Sequence, residues 1–255
     1  MEKIITLTDY DIFAYLMVGI AVLAASDLVL GSRFVFRNQW GFGIVTMMVI
    51  SAYVLGQILA GPAELILEQI AVRQFLKTPV HYLVLTRKQY EEIAEPDNDF
   101  VARCNDRYEQ TMQERYFITT VLSYFQPLSC VIQQQIRKDK KSIKDGQELF
   151  YEAYAIARND DKTAERLGTF SRLYIFCRNM AFAALLTAVA VLFRWRRGRC
   201  AHWRALEAAG LSPWLTYPRW QFAIFATAAV ALFFRYVFFY RLYSVEVLTA
   251  FATLK

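Results

Sequence analysis

Four stretches of the chain stay apolar long enough to cross about 30 Å of hydrocarbon at roughly 1.5 Å per helical residue. They sit as two pairs, one near each end. The first, Ile12 to Gly31, reads IFAYLMVGIAVLAASDLVLG and carries one charge, Asp27, near its end. The second, Phe42 to Ala60, has no charge and stops before the breaker pair Gly61 and Pro62. The third, Leu173 to Trp195, includes Arg178 and Asn179, so its ends must snorkel. The fourth, Gln221 to Tyr240, closes in an aromatic run holding Arg235, a composition suited to the headgroup interface. A fifth apolar stretch, Tyr116 to Ile132, is interrupted by Gln126 and Pro127 and reads as a buried helix of a polar domain. Were it a span, the two termini would lie on opposite faces.

Between the two pairs the pattern turns helical and amphipathic. Leu65, Ile66, Ile70 and Leu76 recur near helical spacing among Glu64, Glu68 and Arg73, which predicts a helix leaving the membrane and ending at Pro79. Further helices are expected over 87–94, 100–126 and Gln147 to Arg158, with a turn at EPDND. The stretch NDDK, Asn159 to Lys162, offers caps for the helix that follows. No alternation of strand type and no repeat interrupts this pattern. The expected fold is an all-α integral membrane protein with about four transmembrane helices. Its divisions are 1–61 (first helix pair), 62–172 (helical extramembrane block between spans 2 and 3) and 173–255 (second pair and C-terminal tail).

Charge adds an orientation. The block from Ile66 to Arg172 holds sixteen basic and sixteen acidic residues and is neutral, although the whole chain carries +6. The excess lies in the short loops: +2 between Ser32 and Gly41, and +5 between Arg194 and Trp220, where six arginines face only Glu207. Short basic loops stay in the cytoplasm, whereas long domains cross with little regard to charge. The acidic N-terminus, with Glu2, Asp9 and Asp11 against Lys3, points the same way. Both termini and the block are therefore expected outside, in a multi-pass protein of the cell membrane, taken as a bacterial inner membrane. In that compartment Cys104 and Cys130 could form a disulfide, while Cys200 stays reduced.

The chemistry within this frame is sparse. His81 and His202 lie in different segments with no cysteine or carboxylate at metal-ligand spacing, so neither metal nor cofactor is expected. EPDND lacks the glycine and terminal glutamate of a calcium loop, and no P-loop, GxGxxG or GxSxG occurs. The basic stretch Arg137 to Lys144 has no aromatic residue, and no nucleic-acid partner is expected.

Polar groups inside spans are the remaining candidates, because a charge at the centre of the bilayer costs roughly 3 kcal/mol on insertion scales. With an even number of crossings, Glu64 and Glu68 share a face with Arg178 and Arg235, and an interfacial ion network among them is expected. Small residues four apart, Gly56 with Ala60 and Ala184 with Ala188, mark candidate helix contacts, and a homo-oligomer is expected because four spans enclose little alone. Thr46, Ser51, Gln57, Thr187 and Thr227 are candidate lumen residues. The leading reading is a non-enzymatic sensor or scaffold that docks a protein partner through 62–172. The alternative is an ion-conducting pore or membrane-depolarising effector. A lipid-modifying enzyme would need interfacial His, Asp or Glu clusters that the sequence lacks.

Overall fold

The structure, a computed structural model, describes residues 12–30, 41–84, 104, 124, 126–137, 146–196 and 217–254. Every regular element among them is helical. A π-helical turn, Ile12–Leu16, leads into α1 (Met17–Leu30). Helix α2 (Phe42–Ala63) runs on as a π-helical stretch, Glu64–Leu76, and a short α3 (Pro79–Leu83) follows. Among the described residues the block adds α4 (Cys130–Arg137) and α5 (Gly146–Ala157), and two long helices follow, α6 (Asp161–Arg196) and α7 (Pro218–Leu254). Among the described residues, three helical segments are long and apolar enough to cross a membrane: Phe42–Leu83, Asp161–Arg196 and Pro218–Leu254. The first apolar block forms a shorter apolar helix, Ala14–Asp27.

The third and fourth apolar blocks are parts of longer rods of 36 and 37 residues. At roughly 1.5 Å per residue each rod is about 55 Å long, well beyond the hydrocarbon thickness. The chain divides accordingly into two compact units. Unit one takes the residues up to Ala71 with Ile175–Tyr236, and unit two takes Val72–Tyr174 with Val237 onward. The boundaries at Ile175 and Val237 fall about where 20-residue spans counted from Arg196 and Pro218 would end.

Unit one buries little of its apolar surface. Met47, Ile50, Val54, Ile58, Ile224 and Val230 are all exposed, a pattern that suits lipid as solvent and would be an aggregation hazard in water. Its central element is α6, whose most apolar window is 56% buried against 11% for Phe42–Leu83. Ala63 and Leu67 pack there against Ala181 and Phe182.

Unit two has an ordinary soluble-type core. Leu83, Leu128, Ile136, Leu149, Leu167, Val247 and Phe251 gather in it. The expected cap at NDDK is present: the Asp160 carboxylate accepts from the Thr163 amide at 3.0 Å and from its hydroxyl at 2.6 Å. Those two bonds hold its carboxyl below the usual carboxylate range. Gln126–Ser129 are not helical, and α4 starts only at Cys130. No single helix therefore runs through Tyr116 to Ile132, and Leu128, Cys130 and Ile136 are buried in unit two. The helices expected over 87–94 and 100–126, the EPDND turn and the stretch Lys138 to Lys144 fall outside the described residues, apart from Cys104, Tyr124 and Gln126.

Candidate functional site

The π-helical stretch after α2 brings acid to α6. Pro62 removes a backbone donor inside the helix, and the wider winding begins two residues later. On it Glu68 meets Arg178: one guanidinium nitrogen donates to the carboxylate at 2.6 Å. Both side chains are nearly enclosed, at 7% and 11% exposure, while Glu64 stands 3.9 Å from the same nitrogen at 55% exposure. Arg178 Nε donates to the Oδ1 of the adjacent Asn179 at 3.4 Å, and the buried Asn179 Nδ2 has no hydrogen-bond partner among the described residues. Of the expected network, Glu64, Glu68 and Arg178 are brought together, whereas Arg235 is exposed and stands outside it among the described residues. The pair does two things physically. It lets a charged arginine sit inside an apolar unit, and it fixes the rotation of α6 against the exit of α2.

The helix contacts also take shape. Gly56 lies so close to the Tyr15 backbone, and Gly19 so close to the Ala52 backbone, that neither has room for a Cβ. Ala52 and Gly56 are both buried on α2, so the contact stripe lies one turn before the expected Gly56 and Ala60 pair. Gly19 has no small residue four positions away, which hid it from a search by spacing. Ala188 is buried and Ala184 half-buried on α6.

The candidate lumen residues do not converge. Thr46, Ser51, Gln57 and Thr227 are exposed, and only Thr187 is buried. The Thr46 and Thr187 hydroxyls donate to carbonyls of their own helices, Phe42 at 3.0 Å and Ala183 at 2.8 Å, and Gln57 donates to the Tyr53 hydroxyl at 3.2 Å.

Unit two contains a cross-tie that spacing alone could not reveal. Lys77 takes a left-handed conformation, φ 62°, because the helix must stop before Pro79 and Thr78 must be extended. The two carbonyls exposed by that stop are met by tyrosines: Tyr82 donates to Leu76 and Tyr124 to Lys77, both at 2.6 Å. Burial pushes the Tyr124 hydroxyl's pKa far up, so it remains a donor. Downstream, the Leu128 amide donates to the Leu83 carbonyl at 3.1 Å, and the buried Gln133 Nε2 to the same oxygen at 3.2 Å. Arg241 on α7 donates to the Gln126 carbonyl at 3.1 Å. The segment around 124–133 thus straps the chain that follows α2 to the far half of α7. A disulfide between Cys104 and Cys130, Cα atoms 6.0 Å apart, anchors it. Cys177 is a free buried thiol, and Cys200 lies outside the described residues.

Comparison with family models, with curated proteins and with solved structures yields no match.

Proposed function

We propose that the chain is a non-enzymatic, four-span protein of a bacterial inner membrane, homo-oligomeric, whose helical block lies outside the cytoplasm and senses or docks a protein partner. The observation that carries this reading is the strap in unit two. It ties the residues following α2 to a helix that is also a candidate span, so a partner that shifts the strap acts on both at once. A signalling element needs that mechanical property, and an anchor would not. The Cys104–Cys130 pair supports the outside placement, since disulfides persist in oxidising compartments. The fourth span is assigned to Ile12–Leu30, whose nineteen residues cover about 28 Å and whose close contact with α2 needs both glycines.

The pore reading draws on the outward-facing Thr46, Ser51, Gln57 and Thr227, which could line a lumen only between copies. Two measurements on the full chain separate the readings. Reconstituted in liposomes it should pass no ions, and in-membrane cross-linking from exposed Lys162 should trap a second copy or a partner. Ion flux without a cross-linked species would overturn the sensor in favour of the pore.

A further inference from the structure

Unit one contains a cavity of about 310 Å³ between α1 and α6. Val22, Ala25 and Val29 form one wall, and Ala183, Leu186 and Ala190 the other. Both trios follow i, i+3, i+7 spacing, so each wall is one face of its helix. Among the described residues no charged side chain lines the cavity, and of the two hydroxyl residues there, Ser26 and Thr187, the latter already donates to its own helix. Leu186 is 42% exposed and Ala190 is exposed as well, so the space opens on the outer surface of the unit.

Its dimensions select what can enter. Seven residues of wall are about 10 Å long, so the volume leaves a cross-section of roughly 30 Å², about 6 Å across. A helix with its side chains is about 10 to 12 Å wide and cannot enter, whereas a single methylene chain can. The stripe also leads to charge. Arg194 stands four residues beyond Ala190 on the same face of α6, followed by exposed Trp195 and Arg196 at the helix end. Arginine and tryptophan at a span end mark the headgroup level.

We propose that this groove binds one acyl chain of an anionic phospholipid whose phosphate is held by Arg194. The chain fills apolar space that water would occupy at a cost, and the Arg194 guanidinium, already engaged within the protein, meets the phosphate through the donors which that engagement leaves, in charge-assisted hydrogen bonds. The proposal rests on the membrane reading of α1 and α6 and is independent of the block's orientation and role.

Native mass spectrometry of the detergent-solubilised full chain tests it. Phosphatidylglycerol, phosphatidylcholine with the same acyl chains and inorganic phosphate serve as probes. One phosphatidylglycerol adduct is expected, favoured about fivefold over phosphatidylcholine, as one arginine near a headgroup implies. Arg194→Gln should remove that preference, and Ala190→Phe should remove both adducts while helix content by circular dichroism is unchanged. Ala25→Leu on the opposite wall supplies the same test where Ala190→Phe does not fold. Undiminished adducts in the filled variants overturn the proposal. So does inorganic phosphate binding as tightly as the lipid, or adduct loss that coincides with dissociation of a dimer. A chain that stays in solution without detergent would sink the membrane reading itself.

Discussion

Removing the charge of Glu68 breaks the ion pair with Arg178 inside unit one. At an effective dielectric constant near 20, the 2.6 Å contact with Arg178 is worth about 6 kcal/mol of gross attraction, and the 3.9 Å contact from Glu64 about 4 kcal/mol. Glu68→Gln keeps the shape and leaves Arg178 with the Glu64 carboxylate and the Asn179 amide oxygen, so a net loss of about 2 kcal/mol is expected. Glu64 is more than half exposed and screened by water, and Glu64→Gln should cost under about 1 kcal/mol. The double variant strands an enclosed guanidinium, for which a loss of about 3 to 5 kcal/mol is expected. That exceeds the sum of the singles by roughly 1 to 2 kcal/mol, since each acid substitutes in part for the other. Adding Arg178→Met to the double variant should restore most of the stability, because an apolar replacement has no charge to desolvate. Unfolding of the helix bundle in mixed detergent micelles, followed by circular dichroism, gives all four values. Equal effects of the two single substitutions, or strict additivity, would refute the reasoning and leave Arg178 as an independent headgroup anchor.

Three further outcomes follow from the packing and the block. Gly56→Leu should lower stability by at least the 1 to 3 kcal/mol typical of overpacking, because its Cβ would run into the Tyr15 backbone, and half-buried Ala184→Leu should cost less; thermal melts of the two compare directly. Cys130→Ser opens a bridge of sequence separation 26, for which chain entropy gives about 3.5 kcal/mol, to be read as a fall in block stability that reductant reproduces in the native chain. Asp160→Ala should destabilise the start of α6 near neutral pH. The native carboxyl's pKa is lowered, so its contribution is complete above the unfolded value near 3.9 and fades as pH falls through the lower folded value. The gap between variant and native chain in a pH series of melts should therefore close only at acidic pH.

Some of this architecture was open to inspection in the sequence for clear physical reasons. Uninterrupted apolar runs have few alternatives to spanning helices, and the NDDK cap is a local signal that needs no tertiary knowledge. The Arg178 partnership was approachable because a charge in an apolar run must be paired, and Glu64 and Glu68 follow the second apolar run on the matching face. Other features depend on relations that spacing does not encode. The use of Ala52 with Gly56, and of Gly19 opposite, is fixed by how α1 meets α2, which small-residue spacing along one helix cannot give. The strap joins Lys77, Leu83, Gln126, Gln133 and Arg241 across as many as 115 positions, mostly through backbone carbonyls that every residue possesses. The continuation of α6 and α7 past the hydrocarbon was obscured because charged residues end an apolar run without ending a helix.

The placement of the block outside the cytoplasm is the claim on which the sensing role depends, and one labelling experiment addresses it. A single cysteine introduced beside Lys140, in a chain whose Cys177 and Cys200 are replaced and whose Cys104–Cys130 pair is kept, is treated in intact cells with a membrane-impermeant thiol reagent. The account predicts modification before the cells are opened, and no modification under the same conditions of a cysteine placed between Arg196 and Trp220. Modification of the Lys140-side cysteine only after permeabilisation would contradict it.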